Sequence, residues 1–559
     1  MTAVTHPRTP SLEVSAFRGA RLYIWITGLA LILAIASLAY PSTPSYDPWS
    51  WLIWGRQILH GHLWIAGGSS WKPLPVIFTT VFAIFGSAQP NLWLIVARAG
   101  ALMSVLMSAK LATRITWGFV ARGREPGWFA ELGVIERLAT LTPVVLTGAI
   151  AVIGTAFMPR YPVPMLLGYS EGLGFAITLV AIERAWDGHH RQAFALGLLP
   201  CLDRPELWIV WGLYGLWLMW RNRRTDRTTV PFVLGLGVLM LALWVGPQKV
   251  GGGKLSELFS HAQNNHLAAS AVNSSFPFWH ELYKVIWPLA LERVEAAALI
   301  AIVVAAFLVT RDRRAQGGWK ASARRHGPAV AAALAAAAGF LWWIGISLET
   351  QAGFAGNPRY TVLGVLLVYV GGASAYGWAC LGIVRGIGAL ASRWRGRQTR
   401  LGLRLAVAGM MMTVVFLFVP SWFAHRLPSI NSVRYALRYQ ARLREQVANL
   451  VQRAGGAQNV MRCGSVMTNN YEVTLLAWYL DVPIPYVQAV PRKFETKDLG
   501  PNVVFQDGAT SDTAKNISPT DAQLQAWNLQ WQKQTKTQYK VTRTDPVILY
   551  TDCSKHSAT

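Results

Sequence analysis

The sequence predicts a polytopic α-helical membrane protein that carries a separate α/β domain at its C-terminal end. Three observations lead there. Apolar runs of about 20 residues, the length that crosses a bilayer, recur from residue 22 to residue 423. Short arginine-rich clusters punctuate them: "RGRE" near 122, "RNRRTDR" at 221–227, "RDRR" at 311–314 and "RWRGRQTRLGLR" at 393–404. From about residue 424 the chain turns polar, with helical and strand-like patterns in alternation.

Composition narrows the class further. The 559 residues are 53% hydrophobic and 14% charged, which excludes a disordered chain and exceeds the apolar needs of one soluble core. A formal charge of +25 would suit a nucleic-acid binder. The basic residues instead sit between apolar runs, the positive-inside pattern of membrane proteins, so no nucleic-acid partner is expected. Arginine outnumbers lysine 39 to 13, which suggests a GC-rich bacterial genome.

The first run, "LYIWITGLALILAIASLAY" (22–40), is long for a signal peptide, and "SLAYPSTP" is a poor cleavage site. It reads as a retained anchor. Arg8, Arg18 and Arg21 before it place the N-terminus in the cytoplasm. Further spans are expected near 91–114, 139–157, 170–186, 192–203, 205–220, 230–247, 285–310, 328–348, 361–382 and 403–423, about 11 in all. The short fifth and sixth form a shallow hairpin around "LDRPE", with Asp203, Arg204 and Glu206 in or near the membrane. An odd count leaves the tail outside the cytoplasm and every arginine cluster inside. The outer segments are then 41–90, 158–169, 248–284, 349–360 and the tail.

The first outer segment is unusual. "PSYDPWSWLIWGRQILHGHLWIAGGSSWKPLP" (44–75) holds five tryptophans, one acid (Asp47), Arg56, Lys72, His60 and His62. "PLPVIFTTVFAIFG" (73–86) is too short to span, and counting it would move the arginine clusters outside. It is expected to lie flat at the interface. Residues 48–61 read as an interfacial helix with tryptophan rings at headgroup level.

The tail, 424–559, forms an extracytoplasmic α/β domain behind a transmembrane domain of residues 1–423. "SINSVRYALRYQARLREQVANLVQRAGG" is an amphipathic helix ending at a glycine cap. "NVMRCGSVMT", "VPIPYVQAV", "NVVFQD" and "YKVTRTDPVILYTDC" read as strands. Cys201 and Cys380 lie in apolar runs, while Cys463 and Cys553 lie in the tail and can pair if it is extracytoplasmic.

No P-loop, GxGxxG after a strand, HExxH or GxSxG is present, which gives no support to an ATP-driven pump or a soluble-type hydrolase. His60, His62, His261, His266 and His280 lack ligand spacing, so no metal site is assigned; a divalent cation is the one cofactor left open. The remaining candidates are isolated ionisable groups at or near membrane depth, which are costly and tend to be functional. They are Asp47, Lys72 beside Trp71, Arg98, Arg160, Glu171, Arg204, Glu206 and Arg359 beside Tyr360. Each has a plainer reading. Asp47 can cap the helix that begins at Pro48. Arg98 can pair with Glu171, Arg204 with Glu206, Glu171 can cap its span, and Arg359 can anchor a helix to headgroups. The tryptophans can form an aromatic belt.

An acid soon after the first span, an aromatic interfacial helix and then "KPLP" resemble the GT-C superfamily of membrane glycosyltransferases. Protein O-mannosyltransferases, the lipid A aminoarabinose transferase and actinobacterial cell-wall arabinosyl- and mannosyltransferases are examples. "GYSEGLGFAITLVAIERAW" resembles their acid-bearing second outer loop, "ALGLLPCLDRPELW" their short hairpin, and "GNPRY" an arginine–tyrosine motif before a late span. The likeness covers roughly residues 20–370. It departs from members with paired acids, since Asp47 stands without a neighbouring acid. The resemblance implies an inverting transferase on the outer face of a bacterial plasma membrane. A polyprenyl-phosphate sugar would be the donor, and a cell-envelope glycan or glycolipid the acceptor, in cell-wall biogenesis. It implies Asp47 as general base with Glu171 as a second catalytic acid. Arg359, Lys72, Arg98 and Tyr360 would hold the donor phosphate, with Trp71, Arg160, Arg204 and Glu206 lining the site. The alternative class is a lipid-linked glycan transporter or a non-catalytic envelope-assembly protein, which would need basic clamps but no base.

Overall fold

The computed structural model describes residues 20–125, 127–253, 271–391, 409, 430–489, 501–507, 519–535 and 538–553. The chain divides into two compact units. One comprises Met1–Ile32, Ala99–Pro162 and Gln263–Ser429; the other comprises Leu33–Arg98, Val163–Ala262 and Ile430–Thr559.

Among the described residues, seven helices are long and apolar enough to cross a membrane: Arg21–Ala39, Gly86–Val120, Glu136–Ala156, Thr229–Val250, Glu292–Asp312, Gly327–Gln351 and Pro358–Gly386. Each coincides with an expected span. Three further expected spans are shorter helices, Glu171–Trp186, His190–Cys201 and Leu207–Asn222, of 16, 12 and 16 residues. Twelve residues rise about 18 Å, short of the roughly 30 Å hydrocarbon core. The expected span at 403–423, apart from residue 409, and the cluster at 393–404, His261 and His266 lie outside the described residues. "PLPVIFTTVFA" is the 11-residue helix Pro73–Ala83, too short to span.

The first unit is a helical bundle around Val362–Ala391, whose Val365, Leu366, Val368 and Ala373 are fully buried. Two glycines let this helix lie backbone to backbone against Gly327–Gln351: a Cβ on Gly339 would come 2.6 Å from the carbonyl oxygen of Gly364. Hydroxyls add cross-links. The Thr116 and Thr147 hydroxyls lie 2.9 Å apart, and Ser374 donates to the Ala112 carbonyl at 3.2 Å. Small residues and hydroxyl bonds do this work because lipid tails are as apolar as leucine and give helices no hydrophobic reason to associate.

The second unit holds the segment 41–90, the short helices and the chain from Ile430. Tail helix Ile430–Arg453 ends as its sequence demands: Gly455 takes φ +88°, and Gly456 N–H closes back on the Val451 carbonyl at 2.9 Å. A five-stranded mixed sheet follows, made of β1 (Val466–Thr468), β2 (Val487–Ala489), β3 (Val503–Asp507), β4 (Lys540–Thr544) and β5 (Val547–Thr551), in the order β2-β1-β3-β5-β4. β1 runs parallel to β2 and β3, and β5 antiparallel to β3 and β4. Val503, Val504 and Phe505 of β3 are fully buried. Trp527 and Trp531 pack with Met467, Val504 and Leu524 over one face.

Two local expectations are corrected. "NVMRCGSVMT" is not one strand: Ala457–Cys463 is helical and only Val466–Thr468 is extended. Val460 and Cys463, three apart, both face the core, which is helical rather than strand spacing. The tryptophans of the segment 44–75 are not mainly a belt. Trp49, Trp51, Trp54 and Trp71 are 2%, 0%, 0% and 5% exposed, packed inside protein, and only Trp64 is open, at 44%. Trp54 packs on Trp71 and Trp51 edge-on against Trp93.

Candidate functional site

In the second unit, groups from three distant stretches of sequence meet. Lys72 is the extended residue before the Pro73–Ala83 helix, the backbone state that a following proline favours. The Leu74 N–H then bonds the Leu202 carbonyl at 3.0 Å, so "KPLP" is joined to the "LDRPE" turn. Ser170 precedes helix Glu171–Trp186, whose first residue is Glu171.

Lys72 Nζ lies 3.3 Å from Glu171 Oε1, 3.4 Å from Asp203 Oδ1 and 3.3 Å from Ser170 Oγ. Ser170 donates to Asp203 Oδ1 at 2.5 Å. Arg204 reaches Glu171 Oε1 at 3.6 Å and also bonds Glu206. The Trp51 ring lies 5.3 Å from the ammonium. Close approach is built in by sequence: a Cβ on Gly174 would come 2.8 Å from Asp203 Oδ2. Lys72, Glu171, Asp203 and Arg204 are 7%, 0%, 0% and 3% exposed. Among the described residues, two cations therefore stand against three carboxylates in a water-poor setting, where a charge persists only if paired and hydrogen-bonded.

Asp47 lies two residues further in than the cap. The helix is Tyr46–Leu59 and Ser45 is its N-cap residue, so Asp47 sits in the first turn, half-buried, at the end where the helix dipole favours a negative charge. The start of this helix is held from two sides. Ser45 N–H bonds the Leu167 carbonyl at 2.9 Å and its hydroxyl meets that of Tyr169 at 3.2 Å, just upstream of Ser170 and Glu171. On the tail side, Thr474 donates to the Tyr46 carbonyl, Trp49 packs on Trp478, and Arg56 pairs with Asp481 at 3.0 Å. Burial, with Asp47 and Tyr471 adding to it, pushes the Tyr46 hydroxyl up to about 12, so it stays neutral.

The other expected residues divide between the units. Arg98 is 3% exposed; it donates twice to the Leu166 carbonyl, at 3.0 and 2.7 Å, and once to Ser37 at 2.8 Å. Its observed bonds tie chain segments together. Trp71 donates to the Leu243 carbonyl at 3.2 Å. Arg160, Arg359 and Tyr360 belong to the first unit. Arg160 is exposed, with φ +62°. Arg359 lies in the turn Pro358–Thr361, where Asn357 Oδ1 accepts from its N–H at 3.1 Å, and Trp342 donates to the Tyr360 carbonyl at 2.8 Å. Asp203 and Ser170 are central to the cluster, yet the sequence alone singled out neither as a site residue. An isolated acid in an apolar hairpin was the signal available for Asp203; a serine before a glutamate gives none.

Fold and sequence pattern together define a polytopic α-helical membrane protein with a C-terminal α/β region built on a mixed sheet. Among solved structures, the chain is similar to the crystal structure of ArnT from Cupriavidus metallidurans in the apo state, at 14% identity and a TM-score of 0.45, covering 95% of this chain and 97% of that one. No protein-family model and no curated protein matches the sequence.

Proposed function

We propose that the protein is a GT-C-type inverting glycosyltransferase of a bacterial plasma membrane, moving a sugar from a polyprenyl-phosphate donor to a cell-envelope glycan or glycolipid. The N-terminus would be cytoplasmic, and the tail domain and Asp47 would face outside. The observation that carries the reading is the convergence of Lys72, Glu171, Asp203 and Arg204. These residues come from the three second-unit motifs that resemble the superfamily, and they meet in one buried cluster.

Each group has a part in this reading. Asp47, on a helix pinned at its start, takes the proton of the acceptor hydroxyl as the oxygen attacks the anomeric carbon. The departing lipid phosphate gathers negative charge, and Arg359 with Tyr360 receives it; Lys72 contributes positive potential while held by its acids. Glu171 and Asp203 fix Lys72 and the hairpin. Arg98 keeps the helix bearing it against Leu166. The tail, docked through Trp478 and Asp481 on the Asp47 helix, orients the acceptor. The test is incubation of purified protein with a panel of radiolabelled polyprenyl-phosphate sugars. Transfer, or slow hydrolysis of one donor, supports the reading; a donor that is never consumed but crosses vesicle membranes points to a transporter.

A further inference from the structure

A buried glutamate in the first unit has no part in the chemistry above. Glu281, in the outer segment expected at 248–284, lies in a π-helical turn, His280–Ile286. Such turns are rare and frequent at functional sites. Glu281 is 0% exposed, and among the described residues neither carboxylate oxygen has a hydrogen-bond partner. Buried polar groups in native proteins nearly always have one, so this exception calls for a role.

The loop that leads to Arg359 comes close against the carboxyl at Gly356. A Cβ on Gly356 would come 2.6 Å from Glu281 Oε2 and 2.9 Å from Thr350 Cγ2. Gly356 sits at φ +60° and Gly353 at φ +102°, so both loop turns use backbone states that glycine favours. Asn357, the next residue, holds the Arg359 N–H. The seat of Gly356 on Glu281 is therefore three residues from the arginine.

Among the described residues, the charged surroundings are sparse. Arg160 is the neighbour whose charge favours ionised Glu281, and burial outweighs it, lifting the carboxyl to about 7. The packed helix Gly327–Gln351 carries Glu349, and the turn Pro358–Thr361 carries Arg359 and Tyr360. Glu281's own turn carries His280, Tyr283 and Lys284. None of these donates a hydrogen bond to the carboxyl.

We propose that Glu281 is a positioning residue for Arg359: its neutral carboxyl seats the 352–357 loop, and loss of its proton unseats the loop and the arginine with it. An ionised carboxylate without a donor must find water, and displacing the close-packed Gly356 from Oε2 would make room for it. The consequence for the reaction rests on the role proposed for Arg359; the coupling of Glu281 to the loop does not.

The test is hydrogen exchange on the full-length protein in detergent at pH 6 and pH 8, corrected for the intrinsic pH dependence of exchange. Peptides covering 349–361 in the wild type should exchange several-fold faster at pH 8. In Glu281→Gln, uncharged at both values, they should exchange alike; Glu281→Met serves if the glutamine variant does not fold. Equal corrected rates in the wild type, or an unchanged pH response in the variant, would overturn the proposal. Where a donor is consumed, KM should rise above pH 7 in the wild type and stay flat in Glu281→Gln. If no donor is consumed, the functional reading fails while the exchange result still decides the loop coupling.

Discussion

Lys72 Nζ lies 3.3 Å from Glu171 Oε1, and the two side chains are 9% and 0% exposed. Ninety-nine residues apart in sequence, they form a buried ion pair that Asp203 and Arg204 extend. Removing Lys72 takes one cation from Glu171 and Asp203, leaving Arg204 at 3.6 Å from Glu171 and the Ser170 hydroxyl on Asp203, in a medium that solvates charge poorly. Lys72→Met keeps most of the apolar stem and removes the ammonium, with its charge and its hydrogen bond to Ser170. It should cost about 3–5 kcal/mol, the usual penalty for breaking a buried pair. Chemical or thermal unfolding in detergent would measure it, and a variant as stable as the wild type would show the pair to be dispensable.

Asp47→Asn tests the base. Asparagine fits the first turn of the Tyr46–Leu59 helix, and Ser45 remains at the N-cap position, so folding should survive. Turnover of a consumed donor should drop about 100-fold or more, the scale of general-base contributions, with donor binding near normal. Near-normal turnover would move the search to Glu171.

Arg359→Ala should weaken donor binding while the fold remains intact, because it removes a cation rather than the base. Binding assays with a polyprenyl phosphate read this directly. Unchanged affinity would shift the phosphate contact to Lys72. Arg98→Ala should instead lower stability, since three hydrogen bonds from its guanidinium hold Leu166 and Ser37.

Cys463 and Cys553 are joined by a disulfide with S–S 2.06 Å, 90 residues apart. Closing a loop of that length should stabilise the tail by roughly 4–5 kcal/mol on the loop-entropy account. Mass spectrometry of unreduced protein should find the linked peptides, and Cys463→Ala with Cys553→Ala should unfold at lower denaturant. Two free thiols would remove the support it gives to a tail outside the cytoplasm.

Glu281 gives stability a pH dependence of definite sign. Its carboxyl is raised from 4.5 to about 7 in the folded protein. The native state then binds the proton more tightly than the unfolded chain, so this contribution is complete below about 4.5 and is lost as pH rises through about 7. The span corresponds to about 3 kcal/mol. Unfolding midpoints between pH 5 and 8 should fall in the wild type by more than in Glu281→Gln; parallel curves would contradict this.

Local pattern carried much of the fold. The seven span-length helices, the capped helix Ile430–Arg453 and most of the strands were legible because periodicity and glycine placement act over a few residues. The tryptophans show the limit. A tryptophan's affinity for an interface and for a protein core look alike in sequence, and Trp49 went to the core because Trp478 and Tyr479, over 400 residues later, lie against it.

By itself, the sequence determined that this is a membrane protein with several helical spans and a polar α/β tail, and which isolated charges were costly enough to need a reason. Hydrophobic length and side-chain periodicity are properties of single segments, so they survive in one dimension. Only the tertiary structure decided that Lys72 belongs with Glu171, Asp203 and Arg204, that Asp47 sits inside its helix and not at its cap, and that Glu281 lies close against Gly356. The Lys72 cluster and the Glu281–Gly356 contact join positions about 30 to 130 residues apart, and a charge is satisfied by whichever partner the fold brings within about 3–4 Å, which no local pattern specifies.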